Sequence, residues 1–278
     1  RATDIVFMAL PHGASGGPAM EIVGSGTKIV DLGSDFRLDT PQRYLDAYGS
    51  DHPFPEQLGV WAYGIPELFG EQIAASDRVA APGCYPTSVV VPLAPLIAAD
   101  LIEPEGIVAD SMSGVSGAGR SSADALRFGA IDESVAAYKV LTHRHRPEME
   151  RVLDTVSASN TSILFTPHLV PMQRGILSTV YATPTPGTTL DEVEAAFDTA
   201  YADSMFVRRL GEPPHTRWVV GSNNLFASFH LDTRTNTLIA ISAIDNLVKG
   251  AAGQAVQCAN LMYGFEESTG LPTEGWMP

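Results

Sequence analysis

The chain has 278 residues, of which 45% are hydrophobic and 18% are charged, and its formal net charge is −15. These values are typical of a globular protein with one large domain or two smaller ones. The acidic balance excludes a general affinity for nucleic acid or acidic membranes, because both need patches of Lys and Arg. The sequence shows neither a membrane-spanning apolar run nor a signal-peptide pattern, so we expect a cytoplasmic protein.

In chain order, the first elements are short apolar runs. "DIVFMAL" and "KIVDLG" predict two parallel strands joined by a helix, and loops and short helices are expected from 34 to 77. "RVAAPGC" predicts a further strand. "PTSVVVPLAPLIAADLI" then predicts a buried helix that starts near Pro86 and is kinked at Pro92 and Pro95.

The second half is richer in strands. "GIVADSMSGVSGAGRSS" predicts a strand and a Gly/Ser loop, and "PEMERVLDTVSAS" predicts a helix with Pro147 in its first turn. "SILFTPHLVP", "GILSTVYATP" and "VRRL" predict strands, and "TTLDEVEAAFDTAYADS" predicts a helix with a Thr cap. "NLFASFHLDTRTNTLIAISAIDN" predicts a hairpin, and "LVKGAAGQAVQCANLMYGF" a final helix. Together these elements predict an α/β domain followed by an α+β domain.

Only two cysteines occur, Cys84 and Cys258, far apart and without a C-x-x-C pair, which suits a reducing compartment. Cys84 follows a Pro-Gly turn and precedes the buried helix. At a helix N-terminus, unpaired N–H groups and the helix dipole lower a thiol pKa and can hold an oxyanion. Free cysteine is also among the most buried residue types, so nucleophile, core residue and metal ligand all stay open.

The stretch "THRHRPE" places His143 and His145 two residues apart, with Glu148 able to orient either ring. A thiol nucleophile needs such a base. Alternatively, the two histidines belong to an exposed basic turn. No third ligand occurs at the spacing of a zinc site, so we expect no bound metal.

Two arginines are candidates for binding an anion. Arg120 follows the small-residue loop "SGVSGAG" and precedes an expected helix. Arg37 follows the strand "KIVDLG", at an edge where α/β sheets bind carboxylates and phosphates. Each feature alone also fits a surface turn or a surface ion pair.

Eight motifs occur in order along almost the whole chain: "ALPHG", "DLGSDFRL", "YGIPEL", "APGCYPTS", "SGVSGAGR", "HRHRPE", "QRGILSTV" and "AIDNLVKGAAGQAVQ". In this respect the chain resembles the N-acetyl-gamma-glutamyl-phosphate reductases. This family acts in arginine biosynthesis and is related to aspartate-semialdehyde dehydrogenase. The resemblance implies NADPH-dependent reduction of an acyl phosphate to an aldehyde and phosphate. It also implies a homo-oligomer, a dimer or a tetramer.

The resemblance implies a role for each site residue. Cys84 is implied as the nucleophile that forms a thioester, which accepts hydride more readily than a carboxylate does. His145 is our first candidate for the general acid-base and His143 our second, with Glu148 beside them. The substrate-binding candidates are Arg37, Arg120 and Arg174. The NADP(H)-binding candidates are Leu10, Pro11, Ser116, Gly117 and Asn246.

With the resemblance, the predicted fold is a partial Rossmann-type parallel sheet plus an α+β catalytic and oligomerisation domain. The predicted divisions are 1–83 for dinucleotide binding, 84–246 for catalysis and dimerisation, and 247–278 for a helix that returns to the first domain. Family members begin with a "GxxGYxG" loop that holds the pyrophosphate, and no such loop precedes "DIVFMAL". We therefore expect this chain alone to bind NADPH poorly.

Three alternatives stay open at this stage. An aspartate-semialdehyde dehydrogenase would share the cysteine chemistry. A non-catalytic fragment would have lost cofactor binding. A cysteine hydrolase would need only Cys84 and His145.

Overall fold

The computed structural model describes residues 3–119 and 128–276, and for Phe128 and Gly129 the backbone alone. The chain divides into two compact units. One comprises Arg1–Gly83 with Ala251–Leu271, and the other Cys84–Gly250 with Pro272–Pro278. The C-terminal segment predicted as 247–278 is thus divided between them.

The first unit is a parallel sheet with helices. Its elements in chain order are β1 (Ile5–Met8), α1 (Gly16–Ile22), β2 (Lys28–Asp31), α2 (Pro41–Tyr48), β3 (Ala62–Tyr63), α3 (Pro66–Ala74), β4 (Arg78–Ala80) and, from the C-terminal part, α9 (Gly253–Met262). Within the described residues the strand order is β1-β2-β4-β3, and every pairing is parallel. The predicted β-helix-β unit is confirmed.

The core of the first unit explains Cys258. This residue is fully buried among Val30, Ile73, Val79 and other apolar side chains. Its Sγ lies 3.4 Å from the carbonyl oxygen of Gly64. Cys258 is therefore a packing residue.

The second unit is built on a larger mixed sheet. Its elements are α4 (Cys84–Ala98), β5 (Ile107–Gly114), α5 (Phe128–Ile131), β6 (Ala136–Ala137), α6 (His145–Leu153), β7 (Ile163–Val170), β8 (Ile176–Ala182), α7 (Leu190–Ala200), β9 (Val207–Arg209), α8 (Thr216–Val219), β10 (Leu225–Asp232) and β11 (Thr237–Ile244). In the part of this unit that the structure describes, the strand order is β6-β7-β5-β8-β11-β10-β9. The β10–β11 hairpin is antiparallel, as predicted. A π-helical turn, Val248–Ala252, precedes α9.

Helix α4 begins at Cys84, two residues before the predicted start, and continues through Pro92 and Pro95. A proline lacks the N–H that would bond the carbonyl four residues earlier, here those of Ser88 and Val91. The Ser242 hydroxyl of β11 donates to the Ser88 carbonyl at 2.6 Å. The Tyr201 hydroxyl donates to the Val91 carbonyl at 2.7 Å. Side chains thus satisfy both freed carbonyls, and the helix persists.

Candidate active site

Cys84 is the first residue of α4 and is partly exposed. The first N–H groups of a helix have no partner within the helix and carry the positive end of its dipole. On another side, a Cβ added to Gly250 would lie 2.8 Å from the Cβ of Cys84. The nucleophile candidate is therefore held between a helix start and a closely packed glycine backbone.

The predicted histidine pair lies against Tyr85, the residue after Cys84. The ring centroids of His143 and His145 are 5.5 and 5.9 Å from that of Tyr85, and 4.7 Å from each other. Both histidines are buried. The Tyr85 hydroxyl lies 3.0 Å from that of Tyr138. The structure therefore brings both histidines to the helix that carries Cys84, and they do not form an exposed basic turn.

His143 has a defined protonation state. Its Nδ1 accepts a hydrogen bond of 3.2 Å from the backbone N–H of His145, so the proton of the neutral ring is on Nε2. Burial lowers the pKa of His143 to about 4, with further lowering by Lys139 and Arg144. Burial also raises the pKa of Tyr85 and of Tyr138. At pH 7 this cluster consequently holds a neutral His143 and two protonated phenols.

Glu148 is fully buried on the first turn of α6. It follows His145 by three residues, and such residues lie on the same side of a helix. A carboxylate in the first turn also interacts favourably with the helix dipole. Its role in orienting a histidine stays a prediction.

Three of the residues predicted to bind cofactor meet in the second unit. Asn246 accepts a hydrogen bond from the Gly175 N–H at 2.7 Å through Oδ1. It donates to the Ser116 hydroxyl at 3.0 Å through Nδ2. A Cβ at Gly117 would lie 2.6 Å from the Ser113 hydroxyl, so a larger residue there would displace that side chain. The exposed backbone at 117–119 bears no side chain larger than a methyl group, and its role in cofactor binding stays a prediction.

Arg174 binds a buried carboxylate that the sequence analysis missed. Its Nη2 lies 3.0 Å from Oδ2 of Asp245, which is fully buried. Asp245 also accepts the N–H groups of Leu247 and Val248, two and three residues ahead, at 2.8 and 3.1 Å. The local signal for Asp245 is an Asp directly after a predicted strand, where such a side chain bonds the following backbone, whereas its pairing with Arg174 has no local signal. The other arginine of this set, Arg120, and the helix expected after it lie outside the described residues.

In the first unit, Leu10 and Pro11 are exposed just after β1. The carboxyl ends of parallel strands are the edge where such sheets bind ligands. Arg37 is buried and donates from Nη2 to the carbonyl of Leu32 at 2.8 Å, just after β2. Burial raises the pKa of Asp31, which ends β2. The three predicted residues therefore lie after neighbouring strands at one edge of the sheet.

Asp35 is a second carboxylate that the sequence analysis missed. It accepts the N–H groups of Gly13, Ser15 and Gly16 at 2.7, 2.9 and 3.3 Å, and its Oδ1 lies 3.3 Å from Nδ1 of His12. The amides at the start of α1 thus already bind a carboxylate of this chain. A phosphate group is consequently not expected at α1, and the role of the exposed Leu10 and Pro11 in cofactor binding stays a prediction.

Among the described residues, no group of three or more His, Cys, Asp or Glu side chains is placed to hold a metal ion. Within the same residues, no helix is long and apolar enough to cross a membrane.

Several relatives match the chain along almost its full length. The N-acetyl-gamma-glutamyl-phosphate reductase of Magnetococcus marinus is 48% identical over 279 aligned residues, which cover 100% of this chain and 80% of that protein. The enzyme of the same name from Desulforapulum autotrophicum is 47% identical, over 96% of this chain and 78% of that protein. The Moorella thermoacetica protein of that name is 43% identical, with coverage of 99% and 80%.

The chain belongs to the N-acetyl-gamma-glutamyl-phosphate reductase family.

Two domain families agree with this reductase assignment. Residues 1–76 match the semialdehyde dehydrogenase NAD-binding domain, and residues 84–246 match the semialdehyde dehydrogenase dimerisation domain. Aspartate semialdehyde dehydrogenase II from Vibrio cholerae has the same fold, with a TM-score of 0.71, 18% identity, and coverage of 94% of this chain and 79% of that one. The enzyme from Francisella tularensis has a TM-score of 0.67 at 12% identity, with coverage of 94% and 82%. The predicted fold class is confirmed.

Proposed function

We propose that the protein catalyses NADPH-dependent reduction of N-acetyl-glutamyl 5-phosphate to N-acetyl-glutamate 5-semialdehyde and phosphate, a step of arginine biosynthesis. The observation that carries this proposal is Cys84 at the start of α4, with a buried histidine pair against the next residue. Membership of the reductase family supplies the substrate class.

The cysteine divides the reaction into two easier steps. The Cys84 thiolate attacks the carbonyl carbon of the acyl phosphate, the bond from that carbon to the phosphate oxygen breaks, and phosphate leaves. A thioester on Cys84 remains. NADP(H), when bound, supplies the hydride that reduces this thioester. The carbon–sulfur bond then breaks, which releases the aldehyde and restores the thiolate.

An acid-base group must give and take a proton during these steps. His145 is the better candidate, because His143 uses Nδ1 to accept the backbone N–H of His145. Burial also makes the charged form of His143 unfavourable at neutral pH, as its pKa of about 4 indicates. We therefore assign proton transfer to His145 and the support of the turn to His143.

Within the first unit, Leu10 and Pro11 are our candidates for contacts to NADP(H). Within the second unit, the candidates are Ser116, Gly117 and Asn246. The support is the close backbone packing at Gly117 and the fixed amide of Asn246. Arg37 and Arg120 are the proposed ligands of the anionic substrate, since guanidinium groups bind phosphate and carboxylate in bidentate fashion.

A homo-oligomer is also part of the proposal, as a dimer or a tetramer. Helices α4, α6 and α7 pack on one face of the large sheet. On the other face Val108 pairs with Leu164 and Tyr181 of the adjacent strands, and these last two are 50% and 38% exposed. These apolar side chains flank a polar row of Asp110, Thr166 and Thr179, and a mixed surface of this kind fits a protein interface.

The test is a single-turnover experiment with the purified protein. Mixing enzyme with acyl phosphate in the absence of NADPH should release about one equivalent of phosphate per subunit, because acylation of Cys84 stops at the thioester. Cys84→Ala should release none. Cys258→Ala, the matched control at the buried second cysteine, should retain the burst.

Full turnover then separates the histidines. His145→Gln should lower kcat by a factor of about 10² to 10⁴, as expected for the loss of a general acid-base. His143→Gln should lower kcat by a smaller factor. Replacing the substrate with aspartyl phosphate tests the alternative substrate class. Phosphate release without a requirement for Cys84, or a preference for aspartyl phosphate, would contradict the proposal.

A further inference from the structure

Arg174 is held from two sides by groups of its own chain. Its Nη2 lies 3.0 and 3.2 Å from the two carboxylate oxygens of Asp245. Its guanidinium carbon lies 4.8 Å from the centre of the Trp276 ring. Asp245 is fully buried, whereas 22% of the Arg174 side chain is exposed. The positive charge of Arg174 is therefore already compensated by a buried carboxylate and an aromatic face.

Asp245 connects this arginine to the nucleophile. Its Oδ2 accepts the N–H of Gly221 at 2.7 Å, in addition to the two N–H groups that Oδ1 accepts. Its backbone carbonyl accepts the N–H of Gly250 at 2.9 Å. Gly250 is the residue whose backbone packs against the Cβ of Cys84. A continuous series of contacts thus runs from Arg174 through Asp245 and Gly250 to Cys84.

Two glycines lie where a side chain would collide with Arg174 or with Trp276. A Cβ at Gly114 would lie 2.8 Å from the backbone nitrogen of Arg174. Gly221 has a φ of +87°, and a Cβ there would collide with the indole of Trp276. Larger residues at either position would displace the arginine or the ring that covers it. The two glycines consequently allow the Arg174 backbone and the Trp276 ring to occupy their observed positions.

We propose that Arg174 is a positioning residue for Cys84 and not a ligand of the substrate. Together with Asp245 it fixes residues 245–250, which set the packing of the cysteine side chain. This inference deepens the proposed function and rests on it for the identity of the reaction. The positioning role itself is visible in the reactivity of the thiol without any substrate.

The experiment compares Arg174→Gln and Arg174→Lys with Arg209→Gln, a matched control that breaks an ion pair with Asp198 and Glu194 in the same unit. Peptide mapping measures iodoacetamide alkylation of Cys84 as a function of pH, and steady-state kinetics give kcat and KM. Arg174→Gln should lower alkylation and kcat together by about tenfold, with KM for the acyl phosphate changed by less than about threefold. Arg174→Lys should retain part of both rates, and Arg209→Gln should leave all three quantities as in the wild type.

A rise of about tenfold in KM with unchanged alkylation would show that Arg174 binds substrate, and it would overturn the proposal. Unchanged alkylation and unchanged KM would overturn it as well. If Arg174→Gln does not fold, Trp276→Leu keeps the ion pair and removes the aromatic face, and it should still lower alkylation. A wild-type protein without reductase activity would refute the proposed function, whereas the alkylation comparison would still decide the role of Arg174.

Discussion

His143 and His145 are close in sequence and in space, but one hydrogen bond distinguishes them. The His143 ring accepts the backbone N–H of His145, the first residue of α6. Protonation of His143 would convert this acceptor into a donor and would bury a charge. The position of His145 therefore depends on a neutral His143.

The lowered pKa of His143 predicts acid sensitivity. Its pKa is about 4 in the folded protein, against an ordinary value of 6.5. Below the ordinary value the unfolded chain binds the proton and the folded chain does not, so stability falls as the pH drops from about 6.5 towards 4. At pH 5 the loss from this residue amounts to about 2 kcal/mol, at 1.36 kcal/mol per pH unit. Urea unfolding of the wild type and of His143→Gln from pH 7 to 5 measures this loss of stability.

The His143→Gln variant retains a side-chain acceptor for the His145 N–H and has no titrating ring. Its free energy of unfolding should therefore decrease less on acidification than that of the wild type. His230→Gln, at a part-exposed position of β10, serves as the control and should follow the wild-type curve. Parallel curves for the wild type and His143→Gln would contradict this account.

Local sequence made Cys84 and the histidines candidates, because a turn before a helix and an H-x-H spacing are short-range signals, and the resemblance then implied their roles. It did not identify Asp35 or Asp245. Their partners are backbone N–H groups in loops, together with side chains such as Arg174, 71 residues from Asp245. Arg174 was accordingly assigned to substrate by resemblance, whereas the structure pairs it with a buried carboxylate. Pairings of this kind depend on topology, which residue spacing does not specify.

Helix α4 shows how two prolines persist inside a helix. The cost of a proline arises partly from the carbonyl that loses its N–H partner. Ser242 and Tyr201 come from other elements and supply hydroxyl donors to those carbonyls. The helix that carries Cys84 is thereby hydrogen-bonded to β11 and to Tyr201, the residue that follows α7.

Removal of either hydroxyl leaves a buried carbonyl without its donor. Ser242→Ala and Tyr201→Phe should each lower the free energy of unfolding by about 1 to 3 kcal/mol. Thr237→Ala removes an exposed hydrogen bond from a hydroxyl on the same strand as Ser242, and it should lower the free energy of unfolding much less. Urea denaturation of the purified variants gives these values.

A double-mutant cycle isolates the mechanism. Pro92→Ala restores a backbone N–H that donates to the Ser88 carbonyl within the helix. In the Pro92→Ala background, Ser242→Ala should therefore lower the free energy of unfolding by less than it does in the wild type. The difference between the two decreases measures the coupling between Pro92 and Ser242. Equal costs in both backgrounds would show that the serine stabilises the protein in another way.

The order of elements was more predictable than their pairing. Apolar runs and cap residues located most strands and helices, including the Thr189 capping box of α7. The two-residue strand β3 was missed, since two residues carry no periodicity. Strand β5 lies between β7 and β8, parallel to the first and antiparallel to the second, although β7 and β8 are consecutive in sequence. Long-range pairing of this kind leaves no local pattern.

The predicted boundary after residue 83 coincides with the point where one compact unit ends and the other begins. The functional names given to the predicted domains stay predictions. The C-terminal residues also differ from a simple return to the first unit. Trp276 belongs to the second unit, where its backbone N–H donates to the Val220 carbonyl at 2.8 Å and its ring covers Arg174.

The open face of the large sheet is the surface at which we expect subunits to associate. Met112 lies between His168 and Leu177 in register and is 44% exposed, and Leu164 on the next strand is 50% exposed. Met112→Asp with Leu164→Lys places charges at two apolar positions of this face, and a buried unpaired charge is unfavourable at an interface. Analytical ultracentrifugation should show the wild type as an oligomer and the double variant shifted towards the monomer. Met205→Asp, which changes a 48% exposed methionine outside the strands, is the control and should leave the oligomer intact. An oligomer unaffected by the double variant would place the interface elsewhere.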